Sequence, residues 1–251
     1  MIWKYICVLA NSEKLGARCV AGIELRKSAD GRFEYAGRWI RPVSSRGGAG
    51  GAVNTSERKY ADGAEPQPLD IAEVPLLKHA GDEMQPENWV LDPRQKWKRI
   101  RNVGVDKLEN VEDTPDDLWL DPGEKVRRIS PAFLRSIKER RSLYLIRPES
   151  IQLEVYPDFN PFHERDVTKR DAVFVYKGTK YRLPMHDPRM REKYCPHDKS
   201  GVDKKNVIPL ENGGGYFLCI SYTSEFRGYH SMSESKGYHY KIAATILELS
   251  A

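Results

Sequence analysis

Residues 3–25 read WKYICVLANSEKLGARCVAGIEL, two runs rich in β-branched and aromatic residues, Trp3–Ala10 and Arg18–Leu25, on either side of the turn-forming NSEKLG. Runs of that length bounded by Gly, Asn and Ser are strand signals, and their closeness makes them a hairpin. RWIRPV (38–43) supplies a third strand after the turn SADGRF, and LDIAEVPLL (69–77) a fourth. The pattern is a β-meander followed by a return strand. Residues 52–67 between them are polar, with modest helical tendency, and are expected to form the excursion from the third strand to the fourth.

A second β-rich cluster follows Arg141: SLYLIRP (142–148), SIQLEVY (150–156), DAVFVYKG (171–178), TKYRLPM (179–185), GYFLCISYT (215–223) and HYKIAATILEL (239–249). VYKGTKY reads as a hairpin with Lys177–Lys180 at its tip. The clear helix signal lies between the clusters, in SPAFLRSIKERR (130–141), where Ser130 is the N-cap and Pro131 the first helical residue. The acidic stretch DKLENVEDTPDDLWLD (106–121) is expected as a solvated connector. The fold class is therefore mainly β, two tandem OB-like barrels with one short connecting helix. Residues 1–120 would form the first barrel with its acidic connector, and 121–251 the helix and second barrel.

The chain has 251 residues, 31% of them charged, yet its apolar residues come in compact runs, as in a folded globular protein. No apolar run reaches the ~20 residues that span a bilayer, and the N-terminus lacks the features of a signal peptide, so a cytoplasmic protein is expected. Three of its four cysteines, Cys7, Cys19 and Cys219, sit in apolar strand runs as reduced thiols would. Cys195-Pro196-His197 has no second Cys/His pair at zinc-site spacing, so no metal and no cofactor are expected.

GRWIRPVSSRGGAGG (37–51) is not a phosphate loop, since no Lys-Ser/Thr pair follows its glycines. Either Ile40 points into the barrel with Trp39 and Arg41 outward, or Trp39 and Val43 point inward and Arg41 needs a carboxylate such as Asp70 or Glu73. The structural, inward Trp39 is the expectation, since large aromatics serve cores. Arg38 or Arg41 is then the ligand contact, and Gly47–Gly51 a mobile flap over the barrel face.

Cations are clustered. RQKWKRIR (94–101) sets five around Trp97, among them Lys98 and Arg99, and KVRRISPAFLRSIKERR (125–141) adds seven, among them Arg127, Arg128 and Arg135. Although the net charge is only +5, such clusters with an interleaved ring match a single-strand groove, where charge tracks the backbone and a flat ring stacks bases. Two polar insertions in the second cluster, 187–205 and 225–240, would rim its barrel, with Tyr229 and His230, beside Tyr238 and His239, as a stacking pocket. For catalysis, YPDFNPFHERD (156–166) offers Asp158, His163, Glu164 and Asp166, the residue types of metal-assisted phosphodiester chemistry, but at no spacing of a known nuclease signature.

LANSEKLGARCVAGIE (9–24), GRWIRPVS (37–44), PQPLDIAEVPLL (66–77) with QPENW (85–89), FVYKGTKYRLPMHDP (174–188), FLCISYTSEF (217–226) and YHYKIAATIL (238–247) resemble, in this order, the dual OB-containing domain family of bacteria. The resemblance implies two tandem OB-like barrels, a role connected with nucleic acid, and association with mobile or defence loci. It implies no catalytic residues. The function expected is a module that binds single-stranded or distorted nucleic acid, a sensor or targeting component beside a separate effector protein. The alternatives are a nuclease or nucleotide-processing enzyme built on His163, Asp158 and Glu164, and a protein-interaction scaffold that docks a partner through the acidic stretch.

Overall fold

In a computed structural model the described residues are 1–14, 16–47, 49–160, 164–195, 204–211, 213–226 and 237–249. The chain divides into two compact units, one of 1–113 with 134–145 and the other of 114–133 with 146–251.

The first unit contains β1 (Ile2–Lys14), β2 (Ala17–Lys27), β3 (Phe33–Val43), β4 (Asp70–His79), β5 (Asn88–Leu91) and β6 (Lys98–Asn102). They pair in the order β1-β2-β3-β5-β4-β6, with β1 also pairing β4, so five strands close a barrel and β6 flanks it. β3 and β5 run parallel, and the other pairs are antiparallel. This is the OB arrangement. Closure rests on the length of β1, whose first half pairs β4 through Ile2–Cys7 while Tyr5–Lys14 pair β2. Gly22 makes that bend possible, because a Cβ there would collide with the Cys7 carbonyl. The barrel interior holds Ile6, Val8, Val20, Ile40, Val74, Leu91 and Trp97.

Two strands of this unit escaped the sequence reading: β5 is only four residues long, and β6 lies in the basic cluster 94–101. Within the excursion, α1 (Thr55–Arg58) closes a capping box with Asn54 and buries Glu57 and Arg58. Ala49–Gly51 form a 3-10 turn, with the Gly51 carbonyl accepting from Ser44 N–H and the Gly50 carbonyl from Lys14 Nζ. The expected flap is thus tied down in its described part.

The second unit repeats the theme. β9 (Ser150–Asn160), β10 (Arg165–Tyr176), β11 (Thr179–Pro184) and β12 (Asn206–Pro209) form one sheet in the order β11-β10-β9-β12, and β14 (His239–Glu248) lies between β7 (Arg128–Ile129) and β13 (Tyr216–Tyr222) in another. β8 (Leu143–Ile146), buried throughout, lies where the chain passes from the first unit's segment 134–145 into the second unit. A parallel bridge from Met185, just past β11, to Ala243 of β14 links the two sheets. The sequence β9-β10-β11-β14-β13 therefore copies β1-β2-β3-β5-β4, down to the parallel contact between third and fifth strands. The β10–β11 turn is Lys177-Gly178, both at positive φ (46° and 72°), as a two-residue type I′ hairpin requires.

α2 (Pro131–Ser136) starts as its sequence dictates, Ser130 Oγ accepting from Phe133 N–H at 3.2 Å. A further helix, α3 (Pro188–Tyr194), occupies the first half of the expected polar insertion because the buried Asp187 caps it, accepting from Arg189 N–H at 2.9 Å. The acidic stretch contains the boundary between the units and exposes Asp106, Glu109, Asp116 and Asp117, but it is not solvated throughout: Leu108, Leu118 and Trp119 are buried, and Asp113 accepts from Leu145 N–H and Arg141 Nη1. No helix among the described residues is long and apolar enough to cross a membrane.

Candidate nucleic-acid interface

Strand alternation sorts β1 cleanly. Ile6 and Val8 enter the barrel, so Trp3 and Tyr5 stand on its outer surface. Phe33 of β3 joins them, its ring 5.1 Å from that of Tyr5 with the planes 68° apart. All three rings are partly exposed. Each end of this strip carries cations: Lys98 Nζ stands 4.3 Å from the Trp3 ring, while the Arg101 guanidinium and Lys27 Nζ lie 5.8 and 6.0 Å from Phe33.

A bulge in β6 puts two of its three cations, Lys98 and Arg101, on this side. Glu73 of β4 faces Lys98 and Ala72 faces Arg99, but Ile71 faces Arg101, leaving Ile100 as the extra residue. In a regular strand Lys98 and Arg101 would point to opposite faces; the inserted residue brings them onto one. Arg99 turns the other way, over the Tyr60 ring at 5.6 Å and onto Asp62 at 3.2 Å. Within the strip Glu73 accepts from Lys98 Nζ at 2.9 Å and from the Tyr5 hydroxyl. Burial and then the Glu73 hydrogen bond push the Tyr5 hydroxyl up from its ordinary value, so it stays a donor. Three cations against one carboxylate leave the strip positive.

The sequence-derived candidates fall in different places. Lys98 belongs to the strip and Arg99 flanks it. Trp97, expected as a stacking ring, is fully buried instead, bridged to Tyr60 in the barrel core, because a strand that covers the barrel must turn its largest apolar side chain inward. Ile40 also points into the barrel, yet Trp39 is buried as well, its indole against Asp113 on the outer surface of β3. Arg41 is buried beside it. Its Nη2 donates to Ser142 Oγ at 2.8 Å, and Ser142 donates its N–H and hydroxyl to the Glu87 carboxylate at 2.7 and 2.8 Å. Arg41 is therefore part of an interior network rather than an open ligand contact, while Asp70 accepts from Tyr60 and Gln67 and Glu73 from Lys98. Burial lifts the Asp113 carboxyl above its usual range despite the lowering effect of Leu145, Arg141 and Trp39. Arg38 is exposed on β3.

Arg127 is exposed in the second unit, where the Arg128 guanidinium covers the Tyr238 ring at 5.2 Å; Arg135 is exposed in the last turn of α2. Tyr229 and His230 lie outside the described residues. His239 is buried, its Nδ1 2.8 Å from the Thr223 carbonyl, and so leaves the proposed rim. The supposed catalytic loop is largely the β9–β10 hairpin. Asp158 sits opposite Val167 and Asp166 opposite Phe159, so the two carboxylates point to opposite faces, and Asp158 lies 3.8 Å from Lys169. Glu164 is exposed at the turn with φ 47°, and His163 is outside the described residues. Among the described residues no three His, Cys, Asp or Glu gather to hold a metal ion, and Cys195 is a half-buried thiol at the end of α3, raised by burial.

The corresponding face of the second unit, on β9, β10 and β11, is a charge network. Glu154 and Asp171, directly opposed across β9 and β10, are both buried. Arg182 ion-pairs with Glu154 and lies 3.8 Å from Asp171, Lys205 holds Glu154 at 2.9 Å, and the Tyr156 hydroxyl donates to Asp171 at 2.9 Å.

Trp3, Tyr5 and Phe33 were missed because strand runs rich in aromatics read as core. The available signal was the i, i+2 spacing of Trp3 and Tyr5 out of phase with Ile6 and Val8.

A closed five-strand barrel of OB order, followed by five strands in the same order in the second unit, defines a tandem OB-like protein, a fold that commonly binds nucleic acid. A family model described as the dual OB-containing domain matches residues 4–246, and the chain belongs to that family. No curated protein and no solved structure matches it.

Proposed function

We propose that the protein binds single-stranded nucleic acid through the outer strip of its first barrel. The observation that carries this reading is the convergence of Trp3, Tyr5 and Phe33 with Lys27, Lys98 and Arg101 on one partly exposed surface. Successive outward residues of a strand lie about 6.6 Å apart. Trp3 and Tyr5 thus match the spacing of bases in an extended strand better than the ~3.4 Å rise of a stacked duplex. Exposed Arg38 and Arg135 add positive charge to the same unit, and exposed Arg127 and half-buried Arg128 add it to the second; a targeting role beside a separate effector in a bacterial defence or mobile-element system is in keeping with such a binder.

The test is fluorescence anisotropy of a labelled 12-nucleotide strand over a salt series, with magnesium present to reveal cleavage. Affinity should fall with a log-log slope of about −0.7 per phosphate contact, and Arg101→Glu should flatten that slope by close to one contact. Trp3→Ala should cost about 1–3 kcal/mol of binding with the slope retained. Absence of binding at low salt would end the proposal.

A further inference from the structure

The strip contains one feature that a plain backbone-tracking surface does not need. Glu73 projects among the rings, opposite Tyr5 in the β1–β4 register and opposite Lys98 in the β4–β6 register. A carboxylate there repels phosphate and lowers affinity for any strand, unless something in the ligand donates to it. We propose, resting on the nucleic-acid reading above, that Glu73 is the base-reading residue of the strip and makes it selective for guanine.

The argument follows the hydrogen bonds. Glu73 is held by Lys98 Nζ at 2.9 Å and by the Tyr5 hydroxyl, and its side chain is 15% exposed. Lys98 is 59% exposed on a flexible stem, so a bound phosphate competes for its ammonium. When Lys98 turns to the phosphate, a mostly buried carboxylate oxygen loses its cation and requires a new donor. A base stacked on Tyr5, whose strand position is directly opposite Glu73, brings its Watson–Crick edge to this position. Guanine offers N1–H and N2–H side by side, and the two carboxylate oxygens accept both. Cytosine and adenine each offer an amino donor beside a ring-nitrogen acceptor. Thymine and uracil offer a single N3–H between two carbonyl oxygens, which repel a carboxylate. The order of preference is guanine, then cytosine and adenine, then thymine or uracil.

The experiment uses the full chain and 9-nucleotide thymidine strands whose central base is guanine, inosine, cytosine, adenine or thymine, read by anisotropy at fixed salt. The guanine strand should bind at least about fivefold more tightly than the all-thymine strand, the lower end of what a bidentate base contact provides. Inosine, which keeps N1–H but lacks the 2-amino group, should fall back toward cytosine and adenine. In Glu73→Gln, checked for folding by circular dichroism, the guanine-to-thymine ratio should drop to about twofold or less, since an amide accepts through one oxygen only. Equal affinity for all central bases in the unmodified protein, no loss on inosine substitution, or a guanine ratio that survives Glu73→Gln would overturn the assignment of Glu73 while leaving nucleic-acid binding intact. Failure of every strand to bind would overturn both. The inosine comparison needs no variant, so the proposal remains testable if Glu73→Gln does not fold.

Discussion

The two barrels share a strand order and differ in what they place on the face of their first three strands. On β1 and β3, with β6 alongside, the first unit sets three partly exposed rings among three cations and one carboxylate. On β9, β10 and β11 the second sets two buried carboxylates against Arg182 and Lys205, a network balanced within itself. A surface with net positive charge and partly exposed rings has something to offer a phosphate-linked strand; carboxylates already paired with Arg182 and Lys205 offer little and serve to hold their own strands together. On the proposed reading, the same topology presents a binding face in one unit and a self-paired face in the other.

The largest effect that would sharpen this contrast involves the two tryptophans flanking β1 and β6. Trp97→Ala should destabilise the first barrel by about 3–5 kcal/mol, measured by urea unfolding, because it empties the core. Trp3→Ala should instead leave the midpoint nearly unchanged and act on binding. If both behaved alike in unfolding, the partition into core ring and surface ring would fail. Next in size, Arg182→Ala should cost about 1–2 kcal/mol of stability by leaving Glu154 and Asp171 facing one another with too little positive charge, while the salt slope of oligonucleotide binding stays as it was. Loss of binding in a folded Arg182→Ala protein would show that the second face takes part after all.

The smallest expected effect is a pH dependence confined to the second unit. Lys241 is buried, its Nζ donating to the Val126 carbonyl at 2.6 Å, and burial pushes its pKa down from 10.5 to about 8, partly opposed by Asp117 and Asp121. Between those two values the unfolded chain holds a proton that the folded chain has released. Stability from this group therefore rises as the pH goes from 8 toward 10.5 and is lowest below 8. Lys241→Met should abolish that rise, and at pH 7 should be at least as stable as the unmodified protein. Denaturant midpoints at pH 7 and 9.5 decide it, and an unchanged pH dependence in the variant would remove Lys241 as its source.

The strands of both barrels were legible because their alternation and β-branched runs survive in any context, and the start of α2 because Ser130 and Pro131 act within one turn. β5 was hidden by its brevity: four residues of NWVL carry too little period to register, and it exists because β3 and β4 present edges to it. β6 was hidden by its charge, since its five residues are all exposed and only pairing with β4 makes them a strand.

Sequence by itself determined that the chain is mainly β, built as two clusters, and rich in locally grouped cations, since composition and periodicity are properties of neighbouring residues. Only the tertiary structure decided which aromatic was core and which was surface. Trp97 and Trp3 each have a lysine beside them in the chain, but the register of β6 on β4 and the closure of β1 onto β4 turn one ring into the barrel and leave the other among Lys98, Tyr5 and Glu73. The physical reason is that a side chain's face depends on strand register, and register is set by partners some 25 to 100 residues away in the chain: β6 on β4, β1 on β4, and Ser142 with Glu87 over Arg41.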